Sequence, residues 1–299
     1  MIRILILLLL VPFLCGAQVI VDSLNFQLKH NLIFIKVNIN DTQEPLNFLW
    51  DTGAGISVID NSVAQRLDLP KTDTIRIGTS GKTIAAGLTE QAVLKLGRTT
   101  ILENVELAWM DLEHLSQYLN VPVDGVIGSE LLQNFVVETD VSEMKFRLYP
   151  HDSYQYSGEG HRQPIIGLES GHIGLNAEVT FGKGQAPANL VLKIDTGAPN
   201  SITLHHESVQ KNDLVSDKNL KRVQGFGADS TITNNLRYKA KEVQIGSKKW
   251  KRVPLVLEVD PINTNQERLG DGLIGQGLLL DFNIIYDLKG GYVYLEASE

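Results

Sequence analysis

Apolar and polar residues alternate in short runs along most of this chain, and turn-forming clusters bound the runs. Leu32-Ile33-Phe34-Ile35-Lys36-Val37-Asn38-Ile39 and Leu46-Asn47-Phe48-Leu49-Trp50 are rich in branched and aromatic residues, with the turn-like Asn40-Asp41-Thr42-Gln43 between them. That pattern predicts two strands. It returns in the second half as Ile173 to Phe181, a Gly-Lys-Gly turn at Gly182 to Gly184, and Leu190 to Ile194. Helical spacing is brief, at Ser62 to Leu67, at Leu112 to Leu119, and in their counterparts after His205. The stretch from Pro150 to Pro164 is polar and rich in Tyr, Gly, His and Ser, which reads as a linker or crossover. The fold class is therefore all-β, built as two similar lobes with a few short helices.

A long internal repeat organises these elements. Asp124-Gly125-Val126-Ile127-Gly128 recurs as Asp271-Gly272-Leu273-Ile274-Gly275, and Leu131-Leu132, Phe135, Asp140 and Leu148 find partners at Leu278-Leu279, Phe282, Asp287 and Leu295 with one constant offset. Upstream, Asp51-Thr52-Gly53-Ala54 recurs as Asp195-Thr196-Gly197-Ala198. A period of about 145 residues is far beyond that of solenoids or propellers. The division expected is 18–150 for the first lobe, 151–164 for the linker and 165–299 for the second lobe.

The repeated Asp-Thr-Gly carries the chemistry. Each copy directly follows a hydrophobic run, Phe48-Leu49-Trp50 or Val191-Leu192-Lys193-Ile194, so a strand would deliver each carboxylate to the interface between the lobes. Gly53 and Gly197 allow a sharp turn and close approach of the twin loop. Thr52 and Thr196 offer hydroxyls that can lock one loop to the other, and a tight loop aims backbone N–H groups at the carboxylate. A single Asp-Thr-Gly would be no more than a turn after a strand. Two copies in register, each followed by an apolar-apolar-Gly element, point to paired catalytic carboxylates at Asp51 and Asp195.

With these motifs the chain resembles the aspartic proteases, over essentially residues 25 to 297. Ala54 and Ala198 after the motif, and Asn31-Leu32-Ile33-Phe34-Ile35 before it, are more similar to the retropepsin-like bacterial branch than to pepsin, which usually has Ser there. The duplication puts both aspartates in one chain, as in pepsins. The resemblance implies two β-barrel-like lobes around a central cleft, an endopeptidase acting on an extended peptide or unfolded protein, no cofactor, no metal, and a monomer. It implies that Gly128 and Gly275 support the catalytic loops. It also implies a flap over substrate, for which the candidates are Gly78, Thr79, Ser80 and Gly81 in the first half and Gly225, Phe226 and Gly227 in the second. In such a pair, carboxylates about 3 Å apart share one proton, so one acts as general base on a trapped water and the other hydrogen-bonds the scissile carbonyl. Ala54 and Ala198 cannot donate the hydrogen bond that a serine could give the charged pair, which places the expected pH optimum between mildly acidic and neutral. The family comparison also exposes departures: Trp50 is bulkier than the usual aliphatic residue, Pro199 alters the second loop, and the first hairpin lacks the flap tyrosine of pepsins. The rival reading is a catalytically silent peptide-binding protein with the same cleft. A structural β-protein of the cell envelope would leave the paired motif unexplained.

Bulk properties narrow the setting. Hydrophobic residues at 43% and charged residues at 21% exclude a disordered or fibrous chain. A net charge of −8, with no basic stripe, argues against a nucleic-acid partner. Arg3, the apolar run Ile4 to Val11 and the small residues Cys15-Gly16-Ala17 make residues 1–17 a secretory signal peptide, so the expectation is an exported bacterial protein, periplasmic or secreted, with no membrane span in the mature chain. Cys15 is the only cysteine, and its loss with the signal removes disulfides, thiol nucleophiles and thiolate metal sites. Leu14 argues against acylation of Cys15. His205-His206-Glu207 lacks a third ligand and reads as a solvated helix start. The segment Gly78 to Thr83 lacks phosphate-loop spacing, no Gly-x-Ser-x-Gly elbow occurs, and Tyr154, Tyr156, Tyr292 and Tyr294 read as packing residues.

Overall fold

The computed structural model describes residues 20–79, 82–216, 220–227, 230–260 and 269–298. The leader at 1–17, and Ser80 and Gly81 of the first hairpin, lie outside the described residues. Strands make up 52% of the structure, as the alternating pattern predicts.

Each half closes a six-stranded barrel. In the first, Leu32–Ile39, Leu46–Trp50, Gly125–Ile127, Ser57–Asp60, Ile101–Met110 and Thr83–Lys95 follow one another, and Asn38 pairs with Lys95 to close the ring. In the second the order is Ile173–Thr180, Ala188–Ile194, Gly272–Ile274, Ile202–Leu204, Lys248–Glu258 and Ile232–Ile245, closed by Glu178 against Gln244. The apolar-apolar-Gly segments are the central strands of these barrels. Gly125–Ile127 runs parallel to Leu46–Trp50 and antiparallel to Ser57–Asp60, and Gly272–Ile274 repeats both pairings with Ala188–Ile194 and Ile202–Leu204. A strand flanked on both sides and covered on both faces is largely apolar, and Leu46–Trp50 is buried at all five positions, with the side chain of its one polar residue, Asn47, donating to Pro122 O at 2.6 Å.

The halves are joined by a sheet that neither could build alone. His161–Pro164, Tyr292–Ala297 and Phe282–Asp287 from the second half continue into Val136–Asp140, Lys145–Tyr149 and Asp22–Lys29 from the first, all antiparallel, with Ile284 opposite Thr139 at the junction. Trp50, fully buried, fills the space behind this sheet, edge-on to Phe146 at 4.7 Å and to Tyr286 at 5.6 Å. That contact accounts for its bulk: the position faces a joint core, where an aromatic ring buries more apolar area than an aliphatic side chain.

The brief helical patterns correspond to Asn61–Arg66, Glu113–Leu119 and His206–Lys211. Two further short helices, Glu130–Asn134 and Gln276–Leu279, follow the apolar-apolar-Gly strands and carry no legible helical period. The stretch read as a linker is partly structured, because His161–Pro164 forms an edge strand of the joint sheet. The tyrosines pack as expected: Tyr156 stacks on Tyr294 at 3.8 Å, and the Arg162 guanidinium lies over Tyr292. His205 is a correction. It is not a solvated helix start but buried, its Nδ1 3.0 Å from Glu258 Oε2, because it directly follows strand Ile202–Leu204, which pairs side by side with Lys248–Glu258.

Candidate active site

The two strands that end in Asp-Thr-Gly deliver their loops face to face. Asp51 N–H donates to Ile127 O at 2.9 Å and Asp195 N–H to Ile274 O at 3.0 Å, so each aspartate extends the strand pairing by one residue before the chain turns. Ala54 N–H and Ala198 N–H then bond back to the carbonyls of Asp51 and Asp195 and close the turns.

The threonines join the loops in a reciprocal lock. Thr52 N–H donates to Thr196 Oγ1 at 2.9 Å, and Thr196 N–H donates to Thr52 Oγ1 at 3.1 Å. Each hydroxyl passes its own proton across the interface, Thr52 to Ile194 O at 2.8 Å and Thr196 to Trp50 O at 3.0 Å. Both threonines are buried, so the four bonds satisfy groups that water cannot reach.

The glycines set the approach of the carboxylates. A methyl group on Gly53 would lie 2.6 Å from Asp195 Cγ, and one on Gly197 would collide with the carboxyl of Asp51. Each carboxylate therefore rests on the opposing loop's glycine. Gly53 N–H also donates to Asp51 Oδ1 at 2.7 Å. Burial first, and the charge of Asp195 next, push the Asp51 carboxyl up to about 7, with Lys193 and the Gly53 N–H opposing.

Gly128 and Gly275 stand beneath these loops. A methyl on Gly128 would sit 2.6 Å from Ala54 O, and one on Gly275 2.5 Å from Ala198 O. The residue after each glycine uses its N–H to hold the same carbonyl, Ser129 on Ala54 and Gln276 on Ala198. Asp124 and Asp271, legible as part of the repeat but without an assigned role, accept bonds from Asn47 N–H at 2.7 Å and Val191 N–H at 2.8 Å. They anchor the strands that carry the aspartates, each at the residue four before the aspartate.

Sequence reasoning missed Lys193. Its Nζ lies 3.3 Å from Asp195 Oδ2, with the two side chains only 11% and 13% exposed. Beside it, His172 is kept below its ordinary pKa by burial and by the lysine charge. The signal was present in principle: a lysine in the run Leu190 to Ile194, buried on both sides, needs a counter-charge.

The flap candidates separate. Gly78 is exposed at the end of strand Asp73–Gly78, where a methyl would meet nothing, and Thr79 closes the hairpin with its N–H and hydroxyl on Lys82 O. Gly225 and Phe226 end strand Lys221–Phe226 of the second-half hairpin, and Gly227 O lies 3.3 Å from His114 Nε2 on the first-half helix Glu113–Leu119. The second hairpin therefore reaches the opposite lobe. A surface cavity lined by Asp60, Arg66, Asp111, Glu113 and Asp124 opens nearby but includes no residue of either Asp-Thr-Gly loop. Among the described residues, no three His, Cys, Asp or Glu side chains group as metal ligands, and no helix is long and apolar enough to cross a membrane.

Comparison with known proteins bears on the fold and on the first half of the chain. Residues 35–131, about a third of the chain, match the family model described as aspartyl protease. The structure resembles the crystal structure of the aspartic proteinase from Irpex lacteus, with a TM-score of 0.53 over 92% of this chain and 97% of that one, at 13% identity. No curated protein matches the chain. Residues 35–131 thus match the aspartyl protease model, and over the 92% of the chain that aligns the fold is that of an aspartic proteinase.

Proposed function

We propose that this protein is an exported, monomeric aspartic endopeptidase in which Asp51 and Asp195 share one proton and one hydrolytic water. The observation that carries the reading is the glycine-on-carboxylate packing, in which Gly53 lies against Asp195 and Gly197 against Asp51, held by the reciprocal threonine bonds. An apposition that close disfavours a doubly ionised pair. The singly ionised pair can take a proton from water with one carboxylate while the other donates toward the carbonyl oxygen and then the leaving amine, with no covalent intermediate. The substrate class is an extended peptide or unfolded segment laid between the lobes.

The pH dependence follows from Asp51. Below its pKa of about 7 the acid keeps its proton; as pH rises through that value the proton leaves and the rate falls. Activity should peak in mild acid to neutrality, which agrees with the expectation from Ala54 and Ala198.

The test is cleavage of a peptide library by the wild type, Asp51→Asn and Asp195→Asn, with pepstatin as a second probe. Each substitution should lower kcat/KM by roughly 10³-fold or more, since the residues act as one unit. Equal cleavage by all three proteins would assign the activity elsewhere, and peptide binding without cleavage by any would favour the silent-binder reading.

A further inference from the structure

Lys193 and Leu49 occupy the same place in the two halves, two residues before the aspartate on the strand that delivers it. Leu49 pairs with Phe34 and lies with Leu32 and Val126 in an apolar cluster. Lys193 instead pairs with Gly174, which has no side chain and lies two residues after His172. The elements around the ammonium present three titratable groups: Asp195 on its own strand's end, Asp51 on the opposing loop, and His172 before strand Ile173–Thr180. The strand on its other side contributes the apolar Leu273. The His172 ring approaches the first-half loop at Gly55, its Nδ1 is buried with no partner, and it stays neutral near pH 7 beside the lysine. The lysine's direct counter-charge is therefore the Asp195 carboxylate, 3.3 Å away.

We propose that Lys193 is a positioning residue that keeps the negative charge on Asp195 and leaves the shared proton on Asp51. Asp195 is then the base toward water and Asp51 the acid toward the scissile carbonyl. The proposal rests on the two-aspartate reading and assigns its roles. A full positive charge in a poorly hydrated site favours the ionised form of the carboxylate it touches more than the single neutral N–H of Gly53 favours that of Asp51. The upward displacement of Asp51 runs the same way. The asymmetry between the halves thus decides which member of a near-symmetric pair does which half of the reaction.

The test is a ¹³Cγ NMR titration of aspartate-labelled protein from pH 3 to 9, with Asp51→Asn and Asp195→Asn used to assign the two signals, alongside the pH profile of kcat/KM. In the wild type the lower step should belong to Asp195. Lys193→Leu, which copies the first half, should raise that step by about one pH unit or more and carry the acid limb of the profile with it. Lys193→Arg should leave both near the wild-type positions. A structural role alone would lower rate or stability without moving either step. A lower step on Asp51, or a Lys193→Leu titration superposed on the wild type, would overturn the proposal. Should Lys193→Leu fail to fold, the wild-type assignment alone decides. Failure of the protease reading is separate: intact titrations with no peptide cleavage would sink that reading and leave the charge placement standing.

Discussion

The two Asp-Thr-Gly loops have matching backbones and dissimilar surroundings. The parallel strand pairing, threonine lock, glycine contacts and the aspartate anchors Asp124 and Asp271 recur in both halves. Around that frame the first half has Leu49, Trp50, Asp60 and Glu130, where the second has Lys193, Ile194, His205 and Gly277. Identical backbone brings two carboxylates together; unlike neighbours are needed to make one an acid and the other a base, because a truly symmetric pair would have no preferred site for its proton. In the proposed reading, the duplicated parts build the site and the divergent parts assign its roles.

The largest test of the shared frame is Gly53→Ala set against Gly197→Ala. Each added methyl would displace the opposite carboxylate, so each should reduce cleavage by roughly 10²- to 10³-fold while the fold persists. Unaltered activity in either variant would show that the close apposition is not required. Next come Thr52→Val and Thr196→Val. Each removes two buried cross-loop bonds and strands an N–H and a carbonyl, at a cost of about 3 kcal/mol in denaturant unfolding. The two costs should agree within about 0.5 kcal/mol; a difference above about 1 kcal/mol would break the symmetry claimed for the frame.

A smaller test sharpens the asymmetry. Because Asp51 titrates at about 7 in the folded protein and near 3.8 unfolded, its contribution is fully present below 3.8 and is lost as pH rises toward 7. Asp51→Asn, which resembles the protonated side chain, should therefore match the wild type near pH 4 and exceed it at pH 8. The limit is ~4 kcal/mol, and relaxation of the pair brings the expected gain to about 2 kcal/mol. Asp195→Asn should instead destabilise at both pH values, since it leaves the Lys193 ammonium buried without its partner. Thermal unfolding at the two pH values separates these outcomes, and parallel behaviour of the two variants would dissolve the contrast.

Much of the frame was legible because it is local. Asp-Thr-Gly after an apolar run, and Asp-Gly-x-Ile-Gly further on, name the loops and the strands that hold them. The threonine lock follows from side-chain chemistry once two loops face each other. What stayed hidden depends on pairings distant in sequence. Nothing near Phe282–Asp287 says that it will pair with Val136–Asp140, so the joint sheet and the purpose of Trp50 were invisible. Lys193 stands in an apolar run that asks for a counter-charge, but only the fold shows that Asp195 supplies it. His205 was misread for the same reason, its partner Glu258 lying 53 residues away.

The smallest test concerns what holds the apolar-apolar-Gly turn. In the first half, Glu130 accepts Ser57 N–H at 2.8 Å and the Ser57 hydroxyl at 2.7 Å, and Ser57 Oγ accepts Gly128 N–H at 3.0 Å. In the second half Gly277 replaces the glutamate, and backbone does the same work: Gly275 N–H donates to Ser201 O and Gly277 N–H to Asn200 O, both at 3.0 Å. A side chain cannot be restored there, because a methyl on Gly277 would sit 2.7 Å from Ser201 N. Glu130→Gln keeps one acceptor oxygen but loses its charge and turns an amide N–H₂ toward donors, which should cost about 1 kcal/mol. Glu130→Gly should cost more, because Ser57 is fully buried and water cannot replace the lost acceptor. If Glu130→Gly unfolds at the wild-type denaturant midpoint, the first turn also stands on backbone alone, and the two halves differ less than their side chains suggest.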